Sequence, residues 1–344
     1  MSKVFVEMKM MDKEKVIVVS GSAAYDVIAF TDEEIDDIFK KTLKSKEETT
    51  DARISMSFLV NKKVSFGGTA LNIVYNMVLL GVKALPISCV GRDFALRGYK
   101  EHLDKLGIPT QGIEVKADEE TAEAYIVTGK KGGQMSIFHT GALYQTCDMN
   151  IPKIVKKLNV NLAIISPNPV DTMIKHARQF KGLNIPYIAD PGQMINMMNQ
   201  DQLREFVVNA VMLIVNDYEA SLVEQKLSTK IGDLLDIHII TRGEKGCSIY
   251  KGKEEIDIPA ISIDKLVDPT GAGDAFRGGF LAAIAKMKKN LADLSLNEIK
   301  LASQVGAVSG GYAVEKNGTQ NHKYAISEFK TRYKNNYGDL QLEF

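Results

Sequence analysis

Short apolar runs rich in β-branched residues recur along this chain, and stretches of helical periodicity lie between them. Val16–Ser20 comes first, followed by Leu85–Val90, Leu162–Ser166, Pro186–Ala189, Val211–Val215 and Ile237–Thr241. A run that is apolar at successive positions suits a strand covered on both faces, because a strand with one wet face would alternate. The helical patterns are Asp93–Leu106, Val170–Phe180, Asp201–Val208 and Ala275–Met287. In the first of them Asp93 stands as N-cap and Gly107 lies just past the end. Strands alternating with helices predict an α/β fold whose mostly parallel central sheet is flanked by helices.

A second pattern interrupts the first. Ile54–Phe58 with Val60 alternates apolar with polar residues, as do parts of Ala122–Thr128 and Gln134–His139. The last two flank Gly129-Lys-Lys-Gly-Gly133, a hairpin turn by composition. Alternation marks strands with one open face, so these pieces predict a small sheet. Set over the carboxyl edge of the large sheet, it would act as a lid on a site there. The lid segments are expected near 25–32, 53–66 and 119–140, within one domain spanning 1–344. Between them, Thr31 with Glu34 fits a capping box, and Ile35, Ile38, Phe39 and Leu43 make one helical apolar face. Lys44–Asp51 is charged and reads as a solvated loop.

Composition excludes several classes. Of the 344 residues, 45% are hydrophobic and 25% charged, which rules out a mostly disordered chain. Lys+Arg and Asp+Glu number 43 each, so the whole-chain basic signal of a nucleic-acid binder is missing. No apolar run approaches the ~18 residues of a membrane span. Met1–Lys15 lacks the apolar core of a signal peptide. Cys89, Cys147 and Cys247 stand far apart with no Cys-x-x-Cys spacing, so no disulfide framework or zinc site is implied and a reducing cytoplasm is expected. His102, His139, His176, His238 and His322 fit no metal spacing. They read as surface or strand residues, with His139 alone near a candidate pocket.

The most informative string is Asp268-Pro-Thr-Gly-Ala-Gly-Asp-Ala-Phe-Arg-Gly-Gly-Phe280. Gly271-Ala272-Gly273 directly precedes a helical pattern. The first N–H groups of a helix lack internal partners and, with the helix dipole, attract anions. A carboxylate at Asp274 can take the proton of an alcohol attacking a phosphoryl group while those amides stabilise the transferring charge. The same residues read equally as a tight loop whose Asp caps a helix. No Gly-x4-Gly-Lys-Ser/Thr loop occurs, and Gly21-Ser-Ala-Ala-Tyr-Asp26 lacks the later glycines of a dinucleotide fingerprint. That weighs against a dehydrogenase.

This string resembles the C-terminal signature of the ribokinase-like (PfkB) family of sugar and nucleoside kinases. Phe66-Gly-Gly-Thr-Ala-Leu-Asn72, running on to Gly81 and Val90-Gly-Arg-Asp93, resembles its N-terminal signature. The likeness extends from about Val16 to about Thr319. It implies a ribokinase-like fold, Asp274 as catalytic base and Gly271, Ala272 and Gly273 as anion hole. It implies further that Asp26, Gly67, Gly68 and Asn72 hold the acceptor hydroxyls. Asn216-Asp-Tyr-Glu219 resembles the family's Asn-x-x-Glu motif, with Glu219 acting on Mg2+ largely through water, although Asn216 or Asp217 could as well cap the next helix. Thr241, Gly243 and Gly246 lie in a segment like the nucleotide-side loop; it also reads as a turn into Cys247–Tyr250.

Gln134-Met-Ser-Ile-Phe-His-Thr-Gly-Ala142 is similar to a segment of bacterial and archaeal adenosine and related nucleoside kinases. There an aromatic faces the base; Phe138 holds the matching place, and lid core is its alternative role. Asn168 in Ser166-Pro-Asn-Pro169 matches an acceptor-side position, and Gly318-Thr-Gln320 points the same way. His139 departs from the pattern, standing where Tyr is expected. The resemblance thus implies transfer of the ATP γ-phosphate to a nucleoside 5′-hydroxyl, adenosine first, with Mg2+ as cofactor and K+ near the Asp268 loop an open question. A sugar kinase and a nucleoside-binding protein without turnover are the alternatives. The expected partners are a nucleoside, ATP and a second copy of the chain bound through the lid; no nucleic acid or membrane is expected.

Overall fold

The computed structural model describes residues 15–44, 56–131 and 133–344. Its strands are β1 (Lys15–Ser20), β2 (Ala24–Phe30), β3 (Asn61–Gly67), β4 (Ala84–Gly91), β5 (Ile113–Lys116), β6 (Ala122–Thr128), β7 (Gln134–His139), β8 (Asn159–Ile165), β9 (Tyr187–Ala189), β10 (Met212–Asn216), β11 (Ile237–Thr241), β12 (Cys247–Lys251) and β13 (Glu254–Ile258). The helices used below are α1 (Ile35–Lys44), α2 (Thr69–Leu79), α3 (Asp93–Leu96), α4 (Tyr99–Leu106), α5 (Ile151–Val155), α6 (Val170–Gly182), α7 (Gln200–Val208), α8 (Asp217–Leu227), α9 (Ala272–Met287), α10 (Leu296–Val314) and α11 (Ile326–Tyr337).

Nine strands form the large sheet in the order β13-β12-β11-β10-β9-β8-β1-β4-β5. Every neighbouring pair from β11 through to β5 is parallel, while β12 and β13 add antiparallel at one edge. Apolar cores lie on both faces. Ile17 and Val19 of β1 enter one core, with α2, α9 and α10, and Val16 and Val18 enter the other, with α6 and α7. This two-sided burial is why β1 reads as an unbroken apolar run; each such side chain contributes roughly 1.5–3 kcal/mol. The carboxyl ends of the parallel strands share one edge, and the candidate segments 166–169, 216–219 and 241–246 follow β8, β10 and β11 there.

Four strands form the smaller sheet in the order β3-β2-β6-β7. The β6–β7 hairpin forms within the ranges where partial alternation predicts it. The third strand is displaced from its expected place. Residues 56–60 are not strand, and the pairing begins at Asn61. Ile54 and Ser55, like residues 45–51 and the first fourteen residues, lie outside the described residues. β3 is an edge strand, mostly exposed and carrying Lys62 and Lys63, so no buried face imposed a pattern on it.

Other local expectations are corrected by their partners. Asp93–Leu106 is two helices, because Gly98 takes φ 81° between α3 and α4. Asp93 does not cap α3. Its Oδ1 accepts from both the N–H and Oγ1 of Thr121 (2.7 Å each) and thereby anchors the lead-in to β6. Gly107 does end α4, at φ 68°. The Thr31–Glu34 capping box is not formed: Thr31 Oγ1 accepts from the Glu33 N–H (3.3 Å), and Glu34 Oε1 is buried without a hydrogen bond among the described residues. On α1, Ile35 is buried while Phe39 is half exposed.

Candidate active site

The glycine string builds the site from below. Gly271 has φ 78°, and α9 starts from it with no side chain capping its first turn. A Cβ at Gly271 would come within 2.6 Å of Thr319 Cγ2, so only glycine lets the loop pass this close to the C-terminal segment. Asp268 ties the two segments together: its Oδ1 accepts from the Thr270 N–H (2.9 Å) and its Oδ2 from the Gly318 N–H (3.0 Å). The Ala272 N–H closes a turn onto Pro269 O (3.3 Å), and the start of α9 is thus set on a braced loop, the arrangement that receives anions.

Asp274 stands in the first turn of α9. Asn72, buried on α2, donates from Nδ2 to Asp274 Oδ2 (2.9 Å). Burial pushes Asp274 up to about 6; Asn72 and Arg277 pull it down, and the charge of Asp190 pushes it up. Asp26 on β2 is also buried. Burial and, next, the charge of Asp274 push it up to about 7, against the Thr319 hydroxyl, which donates to its Oδ2 (3.3 Å). Gly67 is needed beside it, since a Cβ there would fall on the Asp26 carboxylate. Gly68 starts α2 at φ 91° and packs against the β1–β2 turn, where a Cβ would meet Ala24 N and Ser22 O at 2.6 Å.

Register aligns the rest of the small sheet with Asp26. Ser65, Asp26, Ala124 and Phe138 are successive cross-strand partners, so their side chains share one face, with small Ala124 between the carboxylate and the aromatic ring. Two strand spacings separate Asp26 from Phe138, about 10 Å. Phe138 is 47% exposed, which excludes the lid-core role. His139 is paired with Glu123 and faces the opposite side, so it is not a pocket residue on the Phe138 face.

Asn168 is 2% exposed, and among the described residues both atoms of its amide lack a hydrogen bond. A buried amide with neither partner is a group waiting for a ligand or water. Its loop meets the start of α2 through Thr69 Oγ1, which donates to Pro167 O (3.3 Å). Asn216 and Glu219 do form a capping box on α8: Asn216 Oδ1 accepts from the Glu219 N–H (2.8 Å) and Glu219 Oε2 from the Asn216 N–H (2.9 Å). Burial raises the Glu219 carboxyl, with Arg277 opposing. Thr241 pairs in register with Asn216, which brings the two strand ends together. Gly243 and Gly246, at φ 54° and 85°, make the turn from β11 to β12.

Several participants escape a sequence reading. Arg277 is a buried clamp. It donates to Asp190 Oδ1 (2.6 Å), Ile214 O (3.3 Å) and Gly273 O (3.0 Å), fixing the start of α9 to β10 and to the residue after β9. Asp190 carried no signal beyond its place before Pro191-Gly192. Thr319 and Gln320 were visible only as part of a C-terminal string. The histidines are less ordinary than expected: His176, His238 and His322 are buried, and His102 hydrogen-bonds to Gln320. Among the described residues no group of three His, Cys, Asp or Glu side chains could hold a metal by itself, and no helix is long and apolar enough to cross a membrane.

The fold is ribokinase-like, and the chain is a phosphotransferase acting on a hydroxyl acceptor. Residues 15–324 match the pfkB family of carbohydrate kinases, and the chain belongs to that family. It is 32% identical over 258 residues to the nucleoside kinase of Methanocaldococcus jannaschii, covering 74% of this chain and 81% of that protein. It is 28% identical over 231 residues to the cytidine kinase of Thermococcus kodakarensis, covering 64% and 80%. The nucleoside kinase of Burkholderia thailandensis in complex with inosine superposes with a TM-score of 0.80 at 29% identity, covering 96% of this chain and 100% of that one. The same protein with ADP-inosine gives 0.78.

Proposed function

We propose that this protein transfers the γ-phosphoryl group of ATP to the 5′-hydroxyl of a nucleoside, adenosine first. The observation that carries the reading is the shared face of Asp26 and Phe138, set beside Asp274. A carboxylate for ribose hydroxyls and an aromatic ring for the base lie about 10 Å apart, the reach of a nucleoside. The relatives whose names specify nucleosides support the acceptor class, and the ADP-inosine complex supports the adenine nucleotide donor.

In this reading the sugar lies over Gly67 and Gly68, with its hydroxyls on Asp26 and Asn72 and the unpartnered amide of Asn168 available nearby. The 5′-oxygen attacks the γ-phosphorus. The new O–P bond forms as the bond to the β,γ-bridging oxygen breaks, the proton passes to Asp274, and ADP leaves. The amides of Gly271, Ala272 and Gly273 stabilise the charge on the phosphoryl oxygens, the Ala272 N–H giving up its long bond to Pro269 O (3.3 Å). Asn216, Thr241, Gly243 and Gly246 flank the nucleotide. Mg2+ would supply charge neutralisation on the phosphates. It keeps most of its waters and needs few carboxylates, which fits Glu219: one oxygen is spent in the capping box and the other makes no hydrogen bond among the described residues.

The small sheet acts as the lid, excluding water from the transfer. On its far face Val64, Tyr125 and Ile137 lie in one cross-strand row and are exposed, which supports a homodimer through this sheet. AMP as product makes this a purine salvage step. Use of ATP and the three free cysteines support a cytoplasmic setting.

The test is a coupled Mg-ATP assay with adenosine, inosine, guanosine, cytidine, ribose, fructose and fructose 6-phosphate, with K+ and Na+ compared. A nucleoside, adenosine foremost, is expected to win. Preference for a free sugar would refute the role of Phe138, and nucleoside binding without turnover would make this a binding protein. Asp274→Asn should lower kcat by about 10²–10⁴ while leaving the melting temperature nearly unchanged.

A further inference from the structure

The proposed base is the end of a hydrogen-bonded chain that reaches the surface. Asn72 donates from Nδ2 to Asp274 Oδ2 (2.9 Å). Gln320 donates from Nε2 to Asn72 Oδ1 (2.9 Å) and to the Tyr99 hydroxyl (2.7 Å). Tyr99 in turn donates to Gly67 O (2.7 Å). His102 Nε2 lies 3.0 Å from Gln320 Oε1. Gln320, Asn72 and Tyr99 are buried, while His102 is half-buried and stacks on Phe66 at 4.7 Å.

The chain can run in only one direction. An ionised Asp274 accepts and cannot donate, so Asn72 must present its NH2 group to it and its oxygen to Gln320. Gln320 must then answer with its own NH2, whose two N–H bonds go to Asn72 and Tyr99. Its oxygen is left for His102, which has to donate from Nε2. An Asn72 amide without this support could turn over and point its oxygen at the carboxylate.

We propose that Gln320 and His102 are positioning residues that lock Asn72 in the orientation donating to Asp274 Oδ2, leaving Oδ1 as the oxygen that takes the acceptor's proton. This rests on Asp274 being the base. Because the lock aims a donor at the carboxylate, it also favours the ionised form of Asp274. Asp26, Asp190 and Arg277 face the same carboxylate, and the variants below leave all three in place.

The test uses the full-length enzyme and the best acceptor of the panel, with single-turnover rates measured against pH so that product release does not intrude. Gln320→Met keeps the length and removes donor and acceptor. It should slow transfer roughly tenfold near neutral pH and move the acidic limb up by about half a unit to one unit, with the KM for ATP within about twofold. His102→Phe keeps the stack on Phe66 and removes the donor; a smaller change in the same direction is expected. His102→Gln, which restores an N–H donor, should recover most of it. A purely structural role would alter melting temperatures and leave the limb where it was. Should Gln320→Met not fold, the two His102 variants carry the test at the half-buried end.

An unmoved limb and unchanged rate in His102→Phe would overturn the proposal. Failure of the base reading looks different: Asp274→Asn would then retain turnover, and the proposal would fall with it. An inactive Asp274→Asn with an unmoved limb in the other variants would remove the positioning role alone.

Discussion

Two carboxylates, buried Asp26 and half-buried Asp274, lie close together, and loss of solvent pushes both upward, to about 7 and about 6. For Asp274, as the proposed base, the consequence is catalytic. A base has to be ionised, so turnover should fall as pH drops through about 6. For Asp26 the consequence also appears in stability. A carboxyl whose pKa is higher folded than unfolded binds its proton more tightly in the native state. Its stabilising effect is therefore complete below the unfolded value near 3.8 and is lost as pH rises toward about 7. Wild type should lose more stability than Asp26→Asn between about pH 5 and about pH 8 in urea melts, by on the order of 1 kcal/mol or more. Equal losses would deny that Asp26 is strained by its charge. The same variant should raise the KM for the acceptor at least about tenfold, because an amide cannot accept from two hydroxyls as a carboxylate does. At this scale the sequence named both carboxylates and Asn72. It placed Gln320 only within a C-terminal string and His102 only among surface or strand residues, because their roles exist only through contacts across separations such as the 248 residues between Asn72 and Gln320.

Among the elements, α9 and the α3–α4 pair offer a matched comparison. Gly98 and Gly271 take nearly the same backbone angle, φ 81° and 78°. A Cβ at Gly98 meets nothing within 4 Å, while one at Gly271 meets Thr319 at 2.6 Å. Gly98→Ala should cost about 1–2 kcal/mol of stability for the left-handed backbone and leave turnover intact. Gly271→Ala should show that same cost together with at least a tenfold loss of kcat, since it displaces Thr319 from Asp26 and disturbs the start of α9. Equal kcat in the two variants, measured beside their denaturation midpoints, would deny the glycine loop a part in catalysis. Helix α9 was legible because glycines, acid and helical pattern are contiguous. The break at Gly98 was missed because an isolated glycine in a helical pattern is usually tolerated. Strand β3 was misplaced because an exposed edge strand has no buried face to write an alternation into the sequence.

On the scale of the whole molecule, the large sheet gathers the strand ends and the small sheet faces them. Arg277 links the two halves of the site's floor, neutralising Asp190 and holding Gly273 O. The far face of the small sheet leaves Val64, Tyr125 and Ile137 exposed. Light scattering should give a dimer mass, and Ile137→Lys should convert it to monomer through charge placed in an apolar contact. A monomer in the wild type at working concentration would count against this interface.

The sequence by itself determined the α/β class, the strands buried on both faces, the hairpin and the glycine-acid string. Each is a local consequence of which faces meet water or of which backbone angles a residue tolerates. Tertiary structure alone decided that Asp26 and Phe138 share a face, that His139 does not, that Arg277 is a clamp, and that His102 and Gln320 reach Asp274 through Asn72. Those facts depend on cross-strand register and on which buried donors must find acceptors, and neither is set by neighbours along the chain.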